Sequence, residues 1–293
     1  MEELDQLERR IDTTHDLRSV VSVMKTVAAS RIHQYEEAVA SADQYGRTIE
    51  TGLQIAMRQR PYELSRRDDS ANRLGAVIIG SDQGLCGDFN QRIVEYYLRR
   101  TDELGISPEN RHAVTVGRRP AAYLETAGFE PEDRFPFAGR PENYAEIIVS
   151  VLEKIEEWNF RKGIETIALF FNRPMEGAVF ESRMEHLLPP DVDWLNGLAE
   201  REWTGPSLPT FSIGWNEMLS SLVNHHIFFT IYRAFVASLA SENTARLRAM
   251  EAAEKNIDER LDDLQTRYNR VRQASITAEL LDISTGYQAI SEG

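Results

Sequence analysis

From Met1 to Tyr45 the chain has no glycine and no proline, and it has neither again from Trp215 to Thr285. Globular helices commonly run about 8 to 20 residues before something stops them. Two uninterrupted ends of this length therefore restrict the fold more than any other feature. All 11 prolines and most of the 17 glycines fall between the two ends. The chain reads as two long helical arms around a punctuated middle.

Apolar side chains in the first arm recur at Leu4, Leu7, Ile11, Val21, Met24, Ala28, Ile32, Tyr35, Val39 and Ala42, with a weak patch at Thr14 and Arg18. Spacings near three and four predict one helix with one apolar stripe, continuing past Gly46 towards Arg60 and ending before Pro61. In the second arm the stripe is more regular: Met250, Ala253, Ile257, Leu261, Leu264, Tyr268 and Val271. Asp258, Glu259, Arg260, Asp262, Asp263, Arg267 and Arg270 fill its other faces. A repeat near 3.5 residues needs a partner helix to cover it. A helix from Trp215 to Thr285 would span about 105 Å, and none of that length is stable in water without packing. Each stripe is the natural partner of the other, giving an antiparallel or otherwise wrapped pair made by the two ends of one chain.

The middle alternates strand-like and helix-like segments. Leu74 to Ile79 reads as a strand, followed by the turn-rich GSDQGLCGDFN and a helix from about Gln91 to Leu104. A second apolar run, His112 to Val116, precedes Gly117 and a short helix, Pro120 to Ala127. A helix Asn143 to Trp158 leads into strands Thr166 to Phe171 and Ala178 to Leu188, the last stopped by Pro189 and Pro190. Alternation of this kind implies crossovers and a mainly parallel sheet covered on both faces. Val192 to Ile213 reads as the return connection to the long second arm. The expected fold class is α+α/β, with long N- and C-terminal helices forming an antiparallel coiled coil around an inserted α/β domain. Its expected parts are residues 1–60, 61–214 and 215–293.

Composition removes several function classes. A formal charge of -14 argues against a general nucleic-acid binder, which needs surplus Lys and Arg, and against adsorption onto anionic lipid. The single cysteine, Cys86, excludes an internal disulfide and any multi-cysteine zinc site. MEELDQLERR is acidic and amphipathic, unlike a signal or transit peptide. The most apolar stretch, Ile227 to Ala240, contains Arg233 and falls short of the roughly 18 residues a membrane span needs. Membrane association is expected only through partners.

The loop Ser81 to Asn90 lies between a strand and a helix, where a doubly wound fold can hold a phosphate. It matches neither GxGxxG nor the P-loop pattern and has no lysine to reach a phosphate. It reads instead as a tight turn in which Gly84 and Gly87 supply unusual backbone angles. Cys86 has no histidine close in sequence to act as its base, and His225 and His226 diverge on a helix. The acidic Asp258–Asp263 cluster reads as the wet face of the coiled coil. No residue is assigned to catalysis, to a cofactor or to a metal. Tyr268 to Glu279 (YNRVRQASITAE) is different, because small and polar side chains take over where the stripe would continue. Such a helix suits directional contacts with a partner, and the same composition equally suits an ordinary solvated surface.

The residues carry a family resemblance. SLASENTARLRAMEAAEKN (Ser238 to Asn256) and YNRVRQASITAEL (Tyr268 to Leu280) resemble the signature of the rotary ATP synthase gamma subunits. SDQGLCGDFN resembles that family's SDxGLCGxxN loop, and MKTVAASR (Met24 to Arg31) its N-terminal helix motif. The resemblance implies a non-catalytic shaft standing in a ring of alternating alpha and beta subunits, with ATP chemistry on the beta subunits. The α/β domain would be the foot, bound to the epsilon subunit and the membrane c-ring. By motif match, Arg272, Gln273, Thr277 and Glu279 would meet the catch region of the beta subunits, and Met24 would sit near the beta lever. Leu280 to Ile290 would lie in the upper bearing. The implied location is peripheral, at the cytoplasmic face of a prokaryotic cell membrane.

The chain also departs from the family pattern. Val20 to Val23 reads VVSV where a Lys- and Thr-containing stretch is usual, and Lys25 and Thr26 replace an acidic-apolar pair. Asn90 to Ile231 matches loosely, including HHIFFTIYR, which points to a divergent, sodium-type branch. Two other readings make different predictions. A nucleotide-dependent enzyme with coiled-coil arms would bind a cofactor, and a self-associating structural coiled coil would form a homodimer.

Overall fold

A computed structural model describes residues 2–59, 73–137, 144–175, 178–203, 207 and 209–291. Its two longest elements are helices α1 (Glu2–Gln59) and α6 (Trp215–Ser291), of 58 and 77 residues. At 1.5 Å per residue they reach about 87 and about 115 Å. α1 passes through Gly46 and Gly52 and α6 through Gly286, because a glycine costs a helix only about 1 kcal/mol. Pro61 lies outside the described residues, and α1 stops two positions before it.

The chain forms two compact units, one from Met1–Ala28 with Leu247–Gly293 and the other from Ala29–Arg246. The first unit is a two-helix pair. Leu7, Ala28, Met250 and Leu264 are buried in it. Leu4, Ile11, Val21, Met24, Ile257, Leu261, Tyr268 and Val271 are half-buried beside them, as the stripes predict. Direction follows from the ion pairs. Arg18 meets Asp258 and Lys25 meets Glu254, so later positions on α1 face earlier positions on α6. A hollow lined by Arg9, Arg10, Thr13, Thr14, Arg260 and Leu264 continues the same order. The pair is antiparallel. The weak patch in the first stripe is where Arg18 reaches across to Asp258.

The second unit is built on a five-stranded sheet: β1 (Leu74–Ile79), β2 (Arg111–Val116), β3 (Asp133–Phe135), β4 (Thr166–Met175) and β5 (Ala178–Leu188). Their spatial order is β3-β2-β1-β4-β5. The pairs β1–β2, β1–β4 and β2–β3 are parallel and only β4–β5 is antiparallel, so the sheet is mainly parallel as expected. All six residues of β1 are buried. Val77 and Ile79 face one core, while Leu74, Ala76 and Ile78 face another. That period-2 division marks a strand covered on both sides.

α2 (Phe89–Glu103) and α3 (Arg118–Thr126) cover one face through Ile93, Val94, Tyr97 and Leu124. The other face is covered by α4 (Tyr144–Lys162) and by the part of α6 from Ile227 to Ala240. The most apolar stretch of the sequence is thus a helix buried against a sheet. Among the described residues no helix is long and apolar enough to cross a membrane. A third cluster joins Ile49, Leu53 and Met57 of α1 to Leu219 of α6 and to Leu195 and Leu198 of α5 (Val192–Glu200). α5 occupies part of the segment read as the return connection. It begins at Asp191, whose side chain accepts the Trp194 N–H at 3.0 Å. β3 was not expected either, and α4 runs to Lys162 instead of Trp158.

Candidate functional site

The sheet order reverses between β1 and β4, and doubly wound sheets bind ligands at the carboxyl ends of the strands flanking such a point. The loop Ser81–Asp88 leaves β1 there. It is held by its own side chains: Asn90 Oδ1 accepts the Ser81 N–H at 2.9 Å, and Asn90 Nδ2 donates to Ser81 Oγ at 2.8 Å. Gly87 has a φ of 62°, as expected of a turn glycine, but the second left-handed residue is Leu85, at 61°, and not Gly84. At Gly84 the missing Cβ makes room for Arg119, whose Nη2 would lie 3.1 Å from it.

Two features fill the place a phosphate would take. Asp82 caps the amino end of α3, where one carboxylate oxygen accepts the Arg118 N–H at 2.8 Å and the other accepts the Phe137 N–H at 3.0 Å. A helix N-terminus attracts an anion, and here the protein supplies its own. α6 covers the loop itself. Ala245 packs with Cys86, Phe89 and Phe180, and Arg246 Nη2 reaches Gly84 O at 3.4 Å. Arg246 also donates to Glu242 at 2.5 Å, with both side chains buried. Burial pushes the Glu242 carboxyl above the usual range, against the opposing pull of Arg246. Burial also raises the Cys86 thiol, which keeps it protonated and unreactive. Among the described residues no group of three or more His, Cys, Asp or Glu could hold a metal.

The remaining candidates lie on the two-helix unit. Arg272, Gln273, Thr277 and Glu279 are all exposed on α6. They occupy two neighbouring rows: Arg272, Ile276, Glu279 and Ile283 in one, and Gln273, Thr277 and Leu280 in the other. Thr277 donates its hydroxyl to Gln273 O at 2.8 Å, and the Arg272 guanidinium lies over the Tyr268 ring at 5.9 Å. Ile276, Leu280 and Ile283 are 49%, 62% and 69% exposed, so each row mixes polar groups with bare apolar ones.

Met24 is half-buried on α1, next to Lys25, which meets Glu254. Arg272 lies 18 residues beyond Glu254 on α6, about 27 Å at 1.5 Å per residue. The structure therefore groups the four α6 residues and leaves Met24 apart. Around Met24 it shows a strip the stripe analysis did not single out: Leu17, Val20, Val23 and Val27, each between 44% and 62% exposed. The signal was present in VVSV, where Val20 and Val23 lie off the inward face that Val21 occupies.

A family model described as ATP synthase matches residues 3–290. The chain belongs to the ATP synthase gamma-chain family. It is 27% identical to the ATP synthase gamma chain of Salinibacter ruber, covering 100% of this chain and 99% of that one. The gamma chain of Nautilia profundicola is 25% identical, with 100% of both chains covered. Among solved structures, the fold is similar to a chain of Euglena gracilis mitochondrial ATP synthase (OSCP/F1/c-ring). The TM-score is 0.70 at 18% identity, over 99% of this chain and 95% of that one. The rotor of the same enzyme gives a TM-score of 0.65 at 16% identity, over 94% and 99%. As a gamma-family member, the chain has the fold expected of it: long terminal helices around a mixed, mostly parallel sheet.

Proposed function

We propose that this chain is the central rotor subunit of an F-type ATP synthase or ATPase, coupling ion movement through a membrane ring to ATP synthesis or hydrolysis on other subunits. One observation carries the reading: a gamma-chain match along nearly the whole chain, on a fold whose ligand crevice is filled by its own α6. The chain is non-catalytic in this reading. Its work is mechanical, with the antiparallel pair as a stiff shaft and the α/β unit as its foot. The three parts expected from the sequence, 1–60, 61–214 and 215–293, are arm, foot and arm, with the stretches of both arms inside Ala29–Arg246 packed into the foot's unit.

The partners are the alpha and beta subunits around the shaft, and the epsilon subunit and c-ring at the foot. The location is peripheral, at the cytoplasmic face of a prokaryotic membrane. Arg272, Gln273, Thr277 and Glu279 meet the beta catch region, and Met24 meets the lever from its separate place on α1. Mixed polar and apolar rows favour this, because they allow weak contacts that can be exchanged as the shaft turns. Co-expression with the alpha and beta subunits of the same genome tests the reading. One copy per ring with ATPase activity is expected, whereas a homodimer that ignores both partners would overturn it in favour of a self-associating coiled coil.

A further inference from the structure

Phe160, near the end of α4, is 84% exposed, more than any other large apolar residue described. It stands between two hollows. On one side is a groove of about 700 Å³ with an apolar floor that includes Leu152, Leu188, Pro189, Leu219 and Val223. On the other is a hollow of about 370 Å³ lined by Glu153, Glu156, Glu157 and Arg161. Phe160 and Glu156 border both.

The charges of the second hollow are unbalanced. Glu157 meets Lys154 at 3.2 Å, but Lys154 also meets Asp133 and Glu132. The structure records no ion pair for Glu153 or Glu156 among the described residues, and Arg161 is the one cation against three glutamates in the lining. An aromatic ridge beside an apolar trough is costly to leave bare in water, and the exposed carboxylates on its other flank set the sign of charge a partner must bring. It is also the composition of an interface anchor, a central aromatic flanked by charge.

We infer that this face of α4 docks a partner segment that is apolar along one edge and basic along the other. Its apolar side chains lie in the groove against Phe160, and a Lys or Arg enters the acidic hollow between Glu153 and Glu156. Asn159, Ser220 and Asn224 give the groove polar groups for backbone contacts. A second copy of this chain is a poor occupant, because its overall charge is -14 and the site already carries unpaired carboxylates. The inference deepens the rotor reading, on which it rests only for the complex in which it is tested.

The test is Phe160→p-benzoylphenylalanine in the tagged full chain, expressed in its own cells, irradiated in the assembled complex and mapped by mass spectrometry. We expect one cross-link, to a segment of another subunit that combines apolar residues with Lys or Arg. Glu153→Lys with Glu156→Lys should lower its yield at least about tenfold, and Phe160→Ser should weaken retention of that subunit about thirtyfold. All three positions are exposed, so thermal melting of the variants should match the parent. A cross-link to a second copy, to an acidic segment or to no protein at all would overturn the inference. So would a yield indifferent to the charge reversal. Recovery of the alpha and beta subunits is scored separately: their absence overturns the rotor reading, while the mapped segment still decides this one.

Discussion

Arg18 Nε donates to Asp258 Oδ1 across 2.6 Å, joining α1 to α6 over 240 residues of sequence. Both side chains are about half exposed, so the pair adds little to stability by itself. Its value is in register, because it fills the one interruption in the apolar stripe. Asp258→Arg places two guanidiniums opposite each other and should lower the melting temperature. Adding Arg18→Asp should restore it, as read by circular dichroism, and a double variant no better than the single one would show that the pair does not set register.

Glu242 and Arg246 are buried one helical turn apart, and removing one of a buried pair strands the other. Arg246→Ala should destabilise by about 3–5 kcal/mol in denaturant unfolding. The double change Glu242→Leu with Arg246→Met should cost less than Arg246→Ala alone. Additive losses would mean that the two groups act independently.

Glu132 gathers His112 at 2.7 Å, Trp158 Nε1 at 2.9 Å and Lys162 at 2.7 Å. Burial raises its carboxyl, but hydrogen bonds from Lys162, Trp158 and His112 outweigh that and hold it down at about 2, from an ordinary 4.5. The unfolded chain therefore takes up this proton first as pH falls. The stabilisation is full above pH 4.5 and is lost between there and about 2. Melting temperature against pH should fall less steeply through that window in Glu132→Gln.

Gly117 sits at the head of α3 with a φ of 99°, and a Cβ there would meet the Ser81 backbone at 2.8 Å. Neither strain nor clash can be relieved by a side-chain rotation. Gly117→Ala should destabilise by about 2–4 kcal/mol in the same unfolding assay, whereas Gly87→Ala, with nothing within 4 Å, should lose only the cost of its positive φ.

Arg272→Ala with Gln273→Ala removes exposed groups, so the unfolding free energy of the chain should change by less than about 0.5 kcal/mol. In the assembled complex, ATP turnover should change by about 2- to 5-fold, the rate equivalent of ~0.5–1 kcal/mol. Unchanged turnover would remove these two residues from the torque-bearing contacts.

The arms were legible because nothing in them could end a helix, and their stripes named the residues that the pair buries. β1 was legible as a short β-branched run between turn residues. β3 was not, since three residues with one apolar side chain leave no period to read. α5 was hidden by Gly197 inside a segment rich in helix breakers. The site residues on α6 came from motif and not from periodicity, which shows only where the stripe fades. Phe160 could have been found: it lies two residues past Trp158, about 200° round the helix from the buried row Ile148, Val151, Ile155 and Trp158, where spacing alone predicts exposure.

The face of the sheet covered by α4 is closed by Tyr35 from α1 and by Ile231, Phe235 and Leu239 from α6. An excised fragment of residues 73–203 would keep all five strands yet lose that cover and the plug over its first loop. It would be a torn object, prone to aggregation. Gene shuffling could not move such a domain between proteins as a cassette; its sheet and its long helices have to be inherited together.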